Sequence, residues 1–92
     1  MYIESVELTF RIAHASSLKD KRQVSRALID KARHKFNAAI AEVASQDVHQ
    51  VLTIGVAVVA GDGAHAQKAL DEIVRFMEEH AELAGAELIE IS

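Results

Sequence analysis

From Tyr2 to Ile12 apolar and polar side chains take turns: Val6, Leu8, Phe10 and Ile12 alternate with Ser5, Glu7, Thr9 and Arg11. A period of two puts one set on each face of an extended chain, so the sequence opens on a half-buried strand. The period then lengthens. Ser17-Leu18-Lys19-Asp20 has the form of a helix start, with the Ser17 hydroxyl placed to accept an early N–H. Val24, Leu28 and Ala32, flanked by Ile29 and Phe36, repeat at the 3.6-residue spacing of an amphipathic helix that ends near Phe36-Asn37.

Two strands and a second helix follow. AAIAEV at 38–43 is a short strand, and the polar ASQDVHQ segment joins it to a long strand at 50–60, giving a hairpin. Gly61-Asp62-Gly63 interrupts that strand, with Asp62 as the cap of a helix whose inner side carries Ala66, Ala69, Leu70, Ile73 and Met77. AELIEI at 86–91 is the last strand. The order β-α-β-β-α-β predicts an α+β fold of the ferredoxin-like, split βαβ kind: a four-stranded antiparallel sheet with two helices on one face.

The long strand raises a question about the other face. Leu52, Ile54, Val56 and Val58 suit the core, which leaves Val51, Thr53, Gly55, Ala57 and Val59 for the open side. A strand this apolar on both sides is usually covered on both. The expectation is a homo-oligomer, most simply a dimer that closes sheet on sheet or joins edges.

Composition narrows the class. With 92 residues, 50% of them hydrophobic, the chain makes one domain, residues 1–92, able to bury roughly 60–65% of its unfolded surface. There is no cysteine, hence no disulfide or Cys-based metal site, and MYIESVEL lacks the basic and apolar regions of a leader. VLTIGVAVVA is too short and too β-branched to span a bilayer. We expect a soluble cytoplasmic protein without a membrane segment.

Charge changes the picture further. Residues 1–35 hold eight Lys/Arg against four acids, and the remainder holds Lys68 and Arg75 against ten, for a net charge of −4. An acidic chain is a poor indiscriminate nucleic-acid binder, and no DNA sequence recognition is expected. Yet seven of the ten basic residues lie between Ser16 and Lys35. On a helical wheel Lys19, Arg22, Arg26 and Arg33 fall within about 60° of one another, opposite Leu28. Cations in the first turns oppose the helix dipole, and Arg22 and Arg26 are a like-charged i,i+4 pair. Stability alone would not select that arrangement. With Lys21 and Arg11 these residues form the candidate site for RNA or another anion, helped by the free N–H groups of the helix start. The plainer alternative is a solvated face interrupted by Asp20 and Asp30, or contact with acids of another subunit. Lys21 lies near the core side, from which its stem can reach the loop around His14 or Glu42.

Other chemistry finds little support. The histidines His14, His34, His49, His65 and His80 form no i,i+3 or i,i+4 pair, so no metal is expected. GDGAH at 61–65 lacks the phosphate-loop and dinucleotide signatures and reads as a turn and cap, so no cofactor is expected. Glu42 and Asp47 have no nucleophile or base beside them, and the protein reads as non-enzymatic. The strand at 50–60 has no aromatic, which excludes base stacking in the manner of an RNA-recognition motif.

SLKDKRQVSRALIDKARHKFNAAIAEV followed by QDVHQVLTIGVAVVAGDGAHAQKALDEIVRFMEEH resembles the DUF503 family of YlxP-like bacterial proteins over essentially the whole chain. Ser17, Leu18, Lys19, Lys21, Arg22, Arg33, Phe36, Asn37, Ala41, Glu42, Val43, Gln46 and Asp47 fit its pattern, whereas His49 stands where relatives often have Trp. The resemblance implies a ferredoxin-like fold and an uncharacterised function. The family's genes tend to neighbour those of transcription and translation factors and of a ribosome-binding factor, which implies a place near RNA or the ribosome.

Overall fold

A computed structural model describes residues 1–92. Six elements run in the order β1 (Tyr2–Arg11), α1 (Leu18–Lys35), β2 (Ala39–Ala44), β3 (Val51–Ala60), α2 (Gly63–Leu83) and β4 (Glu87–Ile91). The sheet order is β2-β3-β1-β4, every pairing antiparallel, and the two longest strands occupy the centre. Both helices pack on one face, α1 over β2 and β3, α2 over β1, β3 and β4. This is the ferredoxin-like arrangement that the sequence predicts.

Each helix is set by its ends. Ser17 is extended and its hydroxyl accepts the Asp20 N–H at 3.2 Å, while Arg33, His34 and Lys35 place basic groups at the negative end of the α1 dipole. Asp62 caps α2 by accepting the His65 N–H at 2.8 Å. At the far end of α2, Gly85 takes φ +80, Ala86 N–H returns to the Ala81 carbonyl at 2.8 Å, and Gly85 N–H bonds Glu82 at 3.1 Å. That paired reversal is the Schellman stop, and it needs a residue at ease with positive φ. It turns the chain into β4.

Between the layers lie Leu8, Phe10, Ile12, Leu52, Ile54 and Val56 from the sheet, meeting Leu28, Ala32, Leu70, Ile73 and Met77 from the helices. Phe36, expected to flank this face, is half-buried at the α1 end, edge-on to Phe76 at 5.3 Å. On the opposite, open face, Val59, Ala57, Gly55, Thr53 and Val51 stand opposite Ile3, Ser5, Glu7, Thr9 and Arg11 of β1. One of these departs from its neighbours: Thr53 is only 6% exposed. Its hydroxyl sits 3.4 Å from that of Thr9 and 3.3 Å from that of Ser45, whose positive φ of 61 folds the end of β2 over it.

β2 carries a bulge between Glu42 and Ala44. The extra residue, Val43, lays its side chain on Gly55, where an added Cβ would come within 2.8 Å of Val43 Cγ1. Gly55 therefore admits the bulge. Ahead of the bulge the register is regular, and Glu42, two residues from the buried Ile40, stands opposite Ile54 on the helix side of the sheet. No helix of the chain is long and apolar enough to cross a membrane.

Candidate functional site

The basic residues of α1 separate into two groups once the helix is docked. Lys19, Arg22 and Arg26 are exposed along one side, and none has a carboxylate within ion-pair distance. At a rise of about 1.5 Å per residue their Cα atoms span roughly 10 Å of helix. Arg22 and Arg26 continue into an open groove of about 370 Å³ between α1 and the β2 edge, shared with Ser25, Ile29, Asp30, Arg33, Ala41 and Glu42.

Arg33 belongs to the same stripe but is already engaged. Its Nε and one terminal nitrogen donate to the Ile40 carbonyl at 2.9 and 2.6 Å, and the fork holds the helix to the outer strand. A carbonyl on the free edge of a sheet is what an incoming strand would pair with, so Arg33 also blunts that edge. Arg33 still lines the groove.

Lys21 corrects the candidate set. It is 1% exposed, among the most deeply buried side chains of the molecule. Its ammonium donates to the carbonyls of Ser45 and Val48, the latter at 3.0 Å, and lies 2.9 Å from Glu42 Oε2. Two of its three N–H donors are thus taken by carbonyls, and the charge is met by the carboxylate. The Glu42 oxygen is buried and receives no well-aligned hydrogen bond, so that contact rests on charge at short range rather than on direction. Lys21 is thus a strut between α1 and the β2–β3 loop, unable to reach a ligand in solution. Glu42 is its partner because it lies two residues along β2 from the buried Ile40, on the same helix-facing side.

Arg11 also stands apart. It lies on the open face of the sheet, opposite Val51 and across from the helices, with Glu87 at 3.8 Å on an exposed surface. The helix start is likewise less open than the sequence suggests. Asp20 accepts from the Ser16 backbone N–H at 3.0 Å and from its hydroxyl at 2.9 Å, placing a carboxylate in the first turn of α1. The Ser16 N–H, its hydroxyl and the Ser17 hydroxyl hold the Asp20 carboxyl below the usual carboxylate range. An anion would meet that charge, so the candidate surface is the side of the helix and not its tip.

Sequence reasoning missed a cluster at the other end of α1. Lys35 lies over Phe76 at 4.9 Å and Phe36 at 5.6 Å, and His80 stacks on Phe76 at 4.0 Å while its Nδ1 sits 3.0 Å from the Phe76 carbonyl. Phe76 is thereby occupied by Lys35 and by His80, which makes the cluster a packing unit between helices. The i,i+4 spacing of Phe76 and His80 was its only trace in the sequence. No three His, Asp or Glu side chains gather as a metal site would require, and nothing in the arrangement points to catalysis.

Comparison with known proteins places the chain. The family described as "Protein of unknown function (DUF503)" matches residues 3–91, and the chain belongs to it. It is 32% identical over 72 residues to the uncharacterised protein YlxP of Bacillus subtilis (strain 168), covering 78% of each chain. Among solved structures it is similar to a de novo designed protein with a ferredoxin fold, with a TM-score of 0.62 and 18% identity over 97% of this chain and 82% of that one. A C-terminal segment of the alpha subunit of aIF2 from Pyrococcus abyssi matches with a TM-score of 0.55 and 13% identity, over 95% of this chain and 48% of that one. At these identities the two structures speak to the fold alone.

Proposed function

We propose that this DUF503 protein is a non-enzymatic cytoplasmic RNA-associated protein that holds the phosphate backbone against the exposed side of α1. The observation that carries the reading is the set of three cations, Lys19, Arg22 and Arg26, standing exposed and free of carboxylate partners beside a groove that Arg33 also lines. Their placement costs the helix a few tenths of a kcal/mol each through the dipole and the like-charged pair, and a surface ligand of negative charge offsets that cost. Guanidinium groups suit phosphate because their donors form a planar fork. No aromatic stands on the exposed side of this groove to read a base, so binding is to the backbone and indifferent to sequence. Asp30 and Glu42 also line the groove, and Lys21 compensates the second of them.

Anisotropy titrations of labelled single-stranded RNA across a salt series test the proposal. Three phosphate contacts predict a slope of log K against log salt near −2, at about −0.7 per contact. Arg22→Glu with Arg26→Glu should remove binding to every RNA sequence alike while leaving the circular dichroism spectrum unchanged. Equal binding by the double variant, or none by the wild type at low salt, would overturn it.

A further inference from the structure

The face of the sheet turned away from the helices has a shape that matters independently of α1. We propose that this face closes on the same face of a second copy, about a twofold axis along the row Ser5, Ala57 and Ala39. Three successive rows cross the face there, the first over β1 and β3 and the other two reaching β2 as well. The first is a ridge: Ile3 and Val59 stand opposite each other and are 60% and 61% exposed. The second is flat, with Ser5 and Ala57 paired and Ala39 beside them. The third is a hollow, where Gly55 lies between Glu7 and Ala41. The hollow and the flat row belong to one trough of about 560 Å³, walled on its far side by Val43.

Ridge and hollow lie two residues to either side of the flat row, on the same face, because side chains on a strand repeat every second residue. A twofold axis lying in the interface, along that row and across the strands, exchanges them strand for strand: Val59 of each copy comes to rest over Gly55, beside the Val43 side chain, and Ile3 over Glu7 of the other. The pattern is its own complement, which is the requirement of an isologous contact. Small residues through the flat row let two sheets approach to the usual ~10 Å.

Charge and edges favour a second copy here. The chain carries −4, so copies repel in general, but the trough has Glu7 as its one charged side chain, and the twofold sets the two copies' Glu7 four residues apart along the strands, about 14 Å. The Arg11–Glu87 pair falls beyond the exchanged rows, at the rim. The edges offer a second copy less. β2 has its Ile40 carbonyl taken by Arg33 and is broken by a bulge, while β4 is five residues long and its pairing with β1 is irregular at Thr9/Phe10. The strands give the face a flat footprint of roughly 500 Å², from ~4.8 Å between strands and ~3.4 Å per residue. That is below the ~800 Å² per partner of a standard interface, so the dimer belongs to the small, concentration-dependent class.

Light scattering over a concentration series extending to high micromolar tests this with the intact chain. The expected result is a rise from the 10.0 kDa monomer toward twice that mass. Val59→Glu changes an exposed residue and Ala57→Glu puts like charges across the axis; both should remain monomeric with an unaltered circular dichroism spectrum. Because the chain has no cysteine, Ala57→Cys supplies a single thiol, which a short bismaleimide should link to its copy, whereas Gln67→Cys on the outer side of α2 should not link. A wild type that stays monomeric, including one whose sheet face captures a different protein, overturns the proposal. So does a dimer that survives Val59→Glu, or equal linkage at positions 57 and 67. Should Ala57→Glu fail to fold, Val59→Glu and the linkage pair still decide.

Discussion

Replacing Lys21 by alanine strands three acceptors at once: the Ser45 and Val48 carbonyls and the Glu42 carboxylate. A buried charge left without its partner costs far more than the pair contributes net, typically 3–5 kcal/mol. Glu42 keeps 22% of its side chain exposed, which lets water recover part of the loss. We expect Lys21→Ala to destabilise by about 3 kcal/mol, lowering the melting temperature by roughly 10–20 °C for a chain of this size. Lys21→Met keeps the apolar stem in place and should cost less, since the lost part is then the ammonium alone. Thermal melts of both variants by circular dichroism check the order and the size. A shift of under a degree for Lys21→Ala would show that the loop holds itself without the strut. The same substitution should leave RNA binding at its wild-type salt slope at temperatures where the variant is folded, because a side chain 1% exposed cannot meet a phosphate.

At the scale of the elements, the two helices begin on carboxylates whose protonation weakens them. Asp20 holds the chain ahead of α1 through Ser16, and Asp62 caps α2 through His65, whose backbone N–H and imidazole both hold the Asp62 carboxyl below its usual range. A carboxyl with a lowered folded-state pKa binds its proton more weakly in the folded chain than in the unfolded one. Its stabilising effect is therefore present above the unfolded value near ~3.9 and is lost as pH falls through the lowered folded value. Melts between about pH 5 and pH 2 should show an acid-side decline in stability that is shallower in Asp20→Asn with Asp62→Asn, because Asn still accepts at a cap but does not titrate. Parallel declines in the two proteins would show that other carboxylates govern the acid limb. These elements were largely legible in the sequence. Periods of two and 3.6, the Ser17 and Asp62 caps and the glycines gave six elements with ends displaced by one or two residues, and the division of β3 between faces followed from side-chain bulk. The bulge at Glu42/Ala44 was not legible, since no Gly or Pro in Glu42-Val43-Ala44 marks it and only Gly55, a strand away, makes room for it. For Lys21 the choice between the loop at His14 and Glu42 stayed open, because it depends on how α1 docks on β2, and the reach of Arg33 to Ile40 had no sign in a helical wheel, which knows nothing of the neighbouring strand. Thr53 was hidden in the same way, buried by a turn at Ser45 that its own strand does not encode.

For the whole molecule, the candidate RNA surface and the proposed dimer face lie on opposite sides of the sheet. α1 covers one side and the trough opens on the other, so pairing two copies through the trough leaves both stripes facing outward. Such a dimer is bivalent. An RNA too short to pass from one stripe to the other meets three cations, whereas one long enough meets six, and the second engagement gains from the effective concentration imposed by the first. The two arms separate in salt dependence: at about −0.7 per phosphate, a slope near −2 for the short RNA should steepen to near −4 for the long one. Val59→Glu, monomeric but with its stripe intact, should bind the short RNA as the wild type does and lose the steepening with the long RNA. Arg22→Glu with Arg26→Glu should lose both while still forming the dimer by light scattering. The two proposals fail separately: a long-RNA slope that stays near −2 in a protein proven dimeric refutes bivalent binding but leaves the interface standing, while a steep slope that persists in Val59→Glu means that one protomer offers more contacts than the α1 stripe supplies.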